Sequence, residues 1–181
     1  MPIPPETEIR DYLADHLGLI ESGLTLIAKE HPLANPIGAG GSIDILARDA
    51  LGLFVVIEIK KSDKTARETL HELHKYVGLL KLQYGLPSHN LRCLVVSTHW
   101  HELLLPFSEF CNAVDFHCEG YILDLSSGIT HMQFHRQTLL PSASEVTLCR
   151  YHDIYLFLDD ASLNAFTVNI ETVLILQPQL L

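Results

Sequence analysis

Residues 43–60 constrain this chain more than any other stretch. Two strand-like runs flank a short turn, and each carries charge where a buried strand would not. Asp44 interrupts Ile43-Asp44-Ile45-Leu46-Ala47, and Glu58 sits within the β-branched run Leu53 to Ile59, with Lys60 just beyond. Val, Ile and Phe favour a pleated, half-buried surface, and Asp49 to Gly52 supplies the turn. If Ala50, Leu51 and Gly52 form a three-residue hairpin loop, Asp49 faces Leu53. Counting back along both strands then sets Asp44 opposite Glu58. Opposed residues share a sheet face, with Cβ atoms roughly 4.5–5.5 Å apart. Lys60, two residues past Glu58, points to that face as well. A one-residue slip would scatter all three.

Two carboxylates this close repel each other and lose water. A shared proton, the lysine or a cation must offset that. Oxygen ligands suit a hard cation, and Mg²⁺ keeps waters that a substrate can displace. Such a centre can activate water and stabilise charge on a phosphate, while the lysine positions water or neutralises charge. That is the chemistry of phosphodiester hydrolysis.

Asp44 followed by Glu58-Ile59-Lys60 resembles the core motif of the PD-(D/E)xK nuclease superfamily. Residues 6–125 are most similar to the C-terminal nuclease domain of the NucS (EndoMS) endonucleases. The shared features are a helix with an early Glu, a Gly-rich lead-in to the Asp strand, the Val55-Val56-Ile57-Glu58-Ile59-Lys60 strand, and a following helix with Tyr76. The family's helix-one Glu maps to Glu6, with Glu8 as the alternative. On the later helix Glu72 replaces the usual Gln, and Lys75 stands where Arg is common.

The resemblance implies an α/β, restriction-endonuclease-like three-layer fold, with a central mixed β-sheet flanked by helices. It implies a Mg²⁺- or Mn²⁺-dependent endonuclease that hydrolyses DNA, in DNA repair or anti-phage defence. Asp44, Glu58 and the Ile59 backbone carbonyl would hold the metal, Lys60 would orient or activate water, and Glu6, Glu72 and Tyr76 would be accessory. The alternative is a catalytically inactive module of the same fold that binds nucleic acid or protein, since fold alone does not establish activity. A nucleotide-binding reading fails on its phosphate loop, because Gly38-Ala39-Gly40-Gly41 precedes a strand and not a helix.

The net charge of −10 argues against a general nucleic-acid binder, but the charge is unevenly spread. Residues 1–100 carry a net −2 and residues 101–181 a net −8. Six of the 12 basic residues fall between Lys60 and Lys81. Of these, Lys61, Lys64, Arg67 and Lys75 are candidates for phosphate contact. Strong DNA affinity then calls for a homodimer, a further DNA-binding domain or a partner. With 48% hydrophobic residues and no run of about 20 apolar residues, the chain reads as globular, with no membrane span. Met1 to Glu6 has no signal-peptide pattern, and Cys93, Cys111, Cys118 and Cys149 read as free thiols, so a cytoplasmic location is expected.

In chain order, the pattern predicts a helix over 6–17, a strand over 24–29 and a loop over 31–41 ahead of the Asp44 strand. A helix over 64–84 follows, capped by Ser62 or Asp63, with Leu70, Leu73, Val77, Leu80 and Tyr84 inward. His71 and His74 are spaced as zinc ligands but read better as site-flanking or solvated side chains. Next come a strand over 91–97, a helix over 100–110, strands over 113–118 and 121–125, and a strand over 130–136. Residues 1–126 are expected to form the nuclease-like domain. Residues 127–181 form an extension: a linker at 141–145, a strand at 153–159, a helix or strand at 164–175 and an apolar end. That end suits a packed arm, an oligomer contact or the start of a further domain.

Overall fold

A computed structural model of the chain describes residues 4–61, 66–141 and 156–176. It divides into two compact units, residues 1–147 and 148–181. The first holds six strands: β1 (Thr25–Leu33), β2 (Gly41–Arg48), β3 (Phe54–Lys60), β4 (Leu91–Ser97), β5 (His117–Asp124) and β6 (Gln133–Arg136). They lie side by side in chain order. β3, β4 and β5 are parallel, and the other neighbours are antiparallel. Parallel neighbours need crossovers, supplied by α2 (Ala66–Tyr84) and α3 (Leu104–Ala113), while α1 (Glu6–Asp15) precedes the sheet.

Period-2 alternation divides the core between the two sheet faces. Ile45, Ala47, Val55, Ile57 and Ile59 pack with Ile9 and Leu13 of α1. Leu46, Val56, Cys93 and Val95 pack with Leu73, Val77 and Leu80 of α2 and Phe107 and Phe110 of α3. The result is the three-layer α/β architecture with a central mixed sheet that the sequence led one to expect.

The hairpin between β2 and β3 has the expected three-residue loop. The Asp49 N–H donates to the Leu53 carbonyl at 3.1 Å, and the Gly52 N–H to the Asp49 carbonyl at 3.0 Å. Gly52 takes φ +85°, which an L side chain resists. Asp49 Oδ1 accepts the Leu51 and Leu53 N–H groups at 3.0 and 2.9 Å. The ladder then runs from Arg48↔Phe54 to Ile45↔Ile57, which is the register counted from sequence.

Several boundaries differ from the sequence reading. Helix α1 ends at Asp15, and Leu17–Leu19 is a separate 3₁₀ turn. His16 leaves the helix, with its ring stacked on Tyr12. β1 runs on through His31 and Pro32 to Leu33, shortening the expected loop. Proline is tolerated there because β1 is an edge strand. The two short strands expected over 113–118 and 121–125 are one strand, β5. Gly120 lies mid-strand because the Trp100 indole fills its side, where an added Cβ would collide with the ring. Trp100 precedes α3, which starts at Leu104 and not at residue 100. The strand expected over 130–136 is the 3₁₀ turn Ile129–His131 followed by β6, which brings residues past 126 into the sheet.

In the second unit α4 (Asp160–Leu176) is a helix. Asp159 caps it, Oδ1 accepting the Ser162 N–H at 2.7 Å, and the Phe157 and Phe166 ring centroids are 5.1 Å apart. Residues 156–159 lead into this helix and are not strand. The linker over 142–145, the rest of the strand placed at 153–159, the caps Ser62 and Asp63, Lys64 and Cys149 lie outside the described residues. Cys93, Cys111 and Cys118 are free thiols. Among the described residues, no helix is long and apolar enough to cross a membrane.

Candidate active site

Asp44 and Lys60 lie at the same end of the sheet, because β2 begins where β3 ends. Glu58 and Lys60 have the even parity of Val56 and face the α2–α3 layer, while Asp44 lies beside Ile43 of that layer and meets β3 at its edge. Glu58 is 2% exposed. Its Oε1 is buried with no hydrogen-bond partner among the described residues. Its Oε2 lies 3.6 Å from the Lys60 ammonium. Burial first, and then the Asp44 charge, push the Glu58 carboxyl well above the usual carboxylate range, although Lys60 pulls the other way.

Asp44 Oδ2 accepts the Ile59 N–H at 2.9 Å, so the carboxylate is fixed across the open end of the ladder. Burial raises this carboxyl too, against the Ile59 N–H and the positive charges of Lys60 and Arg10. Lys60 also meets Glu72 of α2, whose Oε2 accepts from Nζ at 3.0 Å. Desolvation pulls the ammonium down, but the charges of Glu58, Glu72 and Asp44 together outweigh it and raise its pKa.

The accessory residues gather around this core. Glu6, in the first turn of α1, accepts the Lys61 N–H at 2.9 Å, joining the opposite helical layer to the end of β3. Glu8 is exposed. Tyr76 is buried against the start of β2. A Cβ on Gly41 would fall 3.0 Å from its Cδ1, so glycine there admits the ring. Burial, then Glu58 and Glu72, push the phenol up to about 12. Lys75 donates to the Gly40 carbonyl at 3.2 Å, bracing the loop that leads to Asp44.

Of the residues singled out by sequence, the structure brings together Asp44, Glu58, Ile59, Lys60, Glu72, Tyr76, Glu6 and the Lys61 backbone. Lys64 and the Arg67 side chain lie outside the described residues. The ring of His74 meets Phe110 edge-on, and among the described residues no three His, Cys, Asp or Glu side chains converge as a metal site. The sequence reading missed Arg10. It is 8% exposed, pairs with Glu30 at 2.7 Å and attracts the Asp44 charge. The available signal was an arginine beside Ile9, on a helix face otherwise committed to the core.

The donor set fits a hard cation. Two carboxylates lie close enough for one charge to act on the other, and one buried oxygen has no partner among the described residues, which a native fold rarely leaves uncompensated.

The family model for the Endonuclease NucS C-terminal domain matches residues 5–102. The chain is 36% identical over 75 residues to Endonuclease NucS of Mycolicibacterium smegmatis, covering 41% of this chain and 30% of that protein. To Endonuclease NucS of Corynebacterium efficiens it is 35% identical over 75 residues, with the same coverage. The chain therefore matches about 30% of the length of these curated relatives. Among solved structures, a repair endonuclease from Pyrococcus abyssi aligns with a TM-score of 0.48 and 22% identity, over 65% of this chain and 47% of that one. An EndoMS–dsDNA complex aligns with a TM-score of 0.45 and 18% identity, over 67% and 47%. The match to the family model spans more than half of the chain, and the chain belongs to the Endonuclease NucS C-terminal domain family.

Proposed function

We propose that this chain is a metal-dependent endonuclease that hydrolyses DNA phosphodiester bonds, with Asp44, Glu58 and Lys60 as its catalytic residues. The observation that carries the reading is the buried, unpartnered Glu58 Oε1 beside Asp44 and Lys60. Membership of the family and the relatives named endonuclease support it. The match to part of those relatives makes a further DNA-binding domain, a homodimer or a partner part of the proposal. A role in DNA repair fits the family better than one in anti-phage defence.

Asp44 and Glu58 would hold Mg²⁺ or Mn²⁺, with the Ile59 carbonyl as a further ligand. The Ile59 N–H points to Asp44, while the Lys60 carbonyl accepts the Thr98 N–H on the β4 side. Because N–H and C=O of one strand residue project to the same edge, the Ile59 carbonyl faces the Asp44 edge. When bound, the cation supplies positive charge that lowers the pKa of water and stabilises charge gathering on the phosphate.

The protein's own groups do the positioning. The Ile59 N–H fixes the Asp44 carboxylate. Lys60 brings three donors and no acceptor, which suits it to hold an attacking water or a phosphate oxygen. Glu6 ties α1 to the end of β3, and Tyr76 of α2 closes the site against the start of β2. Lys61 and Lys75 lie at the same end and would contact phosphates, and Lys64 and Arg67 belong to the same proposed contact set.

Cleavage of single-stranded, duplex and branched DNA with Mg²⁺ or Mn²⁺, beside EDTA, tests the reading. Metal-dependent cutting that Lys60→Ala and Asp44→Ala both abolish is expected. Cutting that survives both substitutions would overturn the assignment. Absence of cutting together with absence of metal binding would leave the inactive binding module.

A further inference from the structure

The Lys60 ammonium lies between two carboxylates of different kinds. Glu58 is on the sheet, its side chain 3% exposed and 3.6 Å away. Glu72 comes from α2, is 33% exposed, and accepts a hydrogen bond at 3.0 Å. Lys60 itself is 14% exposed, so exposure rises outward from Glu58 through Lys60 to Glu72. The ammonium is thus engaged on both sides, with Glu72 the more exposed of its two partners. The charges acting on Asp44 and Glu58 among the described residues are Glu6, Asp44, Glu58 and Glu72 against Lys60 and Arg10, a negative balance before any phosphate enters. Arg10 is itself occupied by Glu30 and Asp11.

Resting on the nuclease reading above, we propose that Glu72 is a positioning residue that gates Lys60: it holds the ammonium in the free protein, and a substrate phosphate must take the ammonium from it. Glu72 thereby sets how tightly the site holds DNA. An amide of the same shape keeps an acceptor for Lys60 but removes the charge that competes with phosphate, and ammonium hydrogen bonds to a neutral acceptor are weaker than to a carboxylate. Part of this chain's selectivity would then be repulsive, favouring substrates whose other contacts are strong enough to displace Glu72.

Fluorescence anisotropy of labelled duplex and branched DNA in EDTA reads this without turnover. Four proteins are compared: wild type, Glu72→Gln, Lys60→Ala and the double variant. Glu72→Gln is expected to bind about threefold tighter than wild type, and the gain is expected to vanish in the Lys60→Ala background. An equal gain in both backgrounds shows plain repulsion and overturns the gate, as does no gain at all. In metal-loaded kinetics KM is expected to fall about threefold in Glu72→Gln, and an unchanged KM overturns the proposal. Acylation of Lys60 by a succinimidyl ester, mapped by peptide mass spectrometry against Lys81, needs no DNA. Faster labelling of Lys60 in Glu72→Gln is expected, and unchanged labelling overturns the proposal. If wild type cuts DNA and only the Glu72 effects are missing, this inference falls alone. If wild type neither binds nor cuts, the nuclease reading falls and takes this inference with it.

Discussion

The two ends of the sheet each bury a cluster of charge, and they treat it in opposite ways. At the hairpin end Arg92 of β4 donates to Glu21 at 2.7 Å, to Asp49 at 2.9 Å and to Glu119 at 3.0 Å. Arg136 closes on the other oxygen of Glu119 at 2.6 Å, and His117 lies 3.5 Å from it. Burial pulls the Glu119 carboxyl up, but His117, Arg136 and Arg92 outweigh it and bring it down to about 2. Asp49 is held low in the same way, by Arg92 and the turn amides against its own desolvation. At the other end Asp44 and Glu58 share Lys60 with Glu72, the Asp44 and Glu58 carboxyls are pushed up, and one Glu58 oxygen has no partner among the described residues. The same ingredients, acids and a base on apolar strands, give a structural clamp where they are satisfied and the proposed reactive site where they are not.

The largest difference should appear on removing the cation at each end. Lys60→Ala is expected to leave a folded protein with DNA cleavage reduced at least about 100-fold, measured against wild type under identical metal. Arg92→Ala is expected to cost about 3 kcal/mol of stability, because it takes the guanidinium from buried Asp49 and leaves Glu119 with Arg136 and His117 alone. Urea unfolding measures that loss. A cost near zero would mean that the clamp at the hairpin end is no more than a surface pair.

A smaller effect of opposite sign separates the acids. Glu58→Gln is expected to stabilise the metal-free protein by about 1 kcal/mol at neutral pH, since it removes a desolvated charge. The pH dependence sharpens the contrast. Glu58 is raised in the fold, so its contribution to stability is full below its ordinary value of 4.5 and is lost as pH rises through the raised value. The gain from Glu58→Gln should therefore disappear by about pH 4. Glu119 is lowered, so its contribution is present above 4.5 and is lost as pH falls through about 2. The penalty of Arg92→Ala should shrink over that acid window. Parallel pH profiles for the two variants would erase the distinction.

Legibility from sequence followed the same division. The Asp44 end could be read because its logic is local: a three-residue loop with glycine at its close fixes the register, and that register sets Asp44 level with Glu58, two residues before Lys60. Glu72 and Tyr76 followed from helical spacing on the helix after Lys60 and from the family resemblance. The clamp could not be read, since Glu21, Asp49, Arg92, Glu119 and Arg136 come from separate segments and no short pattern links them. Arg10 was hidden for the same reason, its partner Glu30 lying on β1. Strand β5 reads as two from sequence because glycine in a strand suggests a break, and only the fold shows that Gly120 makes room for Trp100. β1 reads short from sequence because Pro32 signals a stop until the strand is known to be an edge.

Calorimetric titration of Mn²⁺ into wild type and Glu58→Gln tests the central claim most directly, that the unsatisfied carboxylate pair is a metal-dependent hydrolytic centre. Saturable binding to wild type, lost or weakened about tenfold or more in Glu58→Gln, is the result this account predicts. Binding of equal strength to both proteins, or to neither, would contradict it.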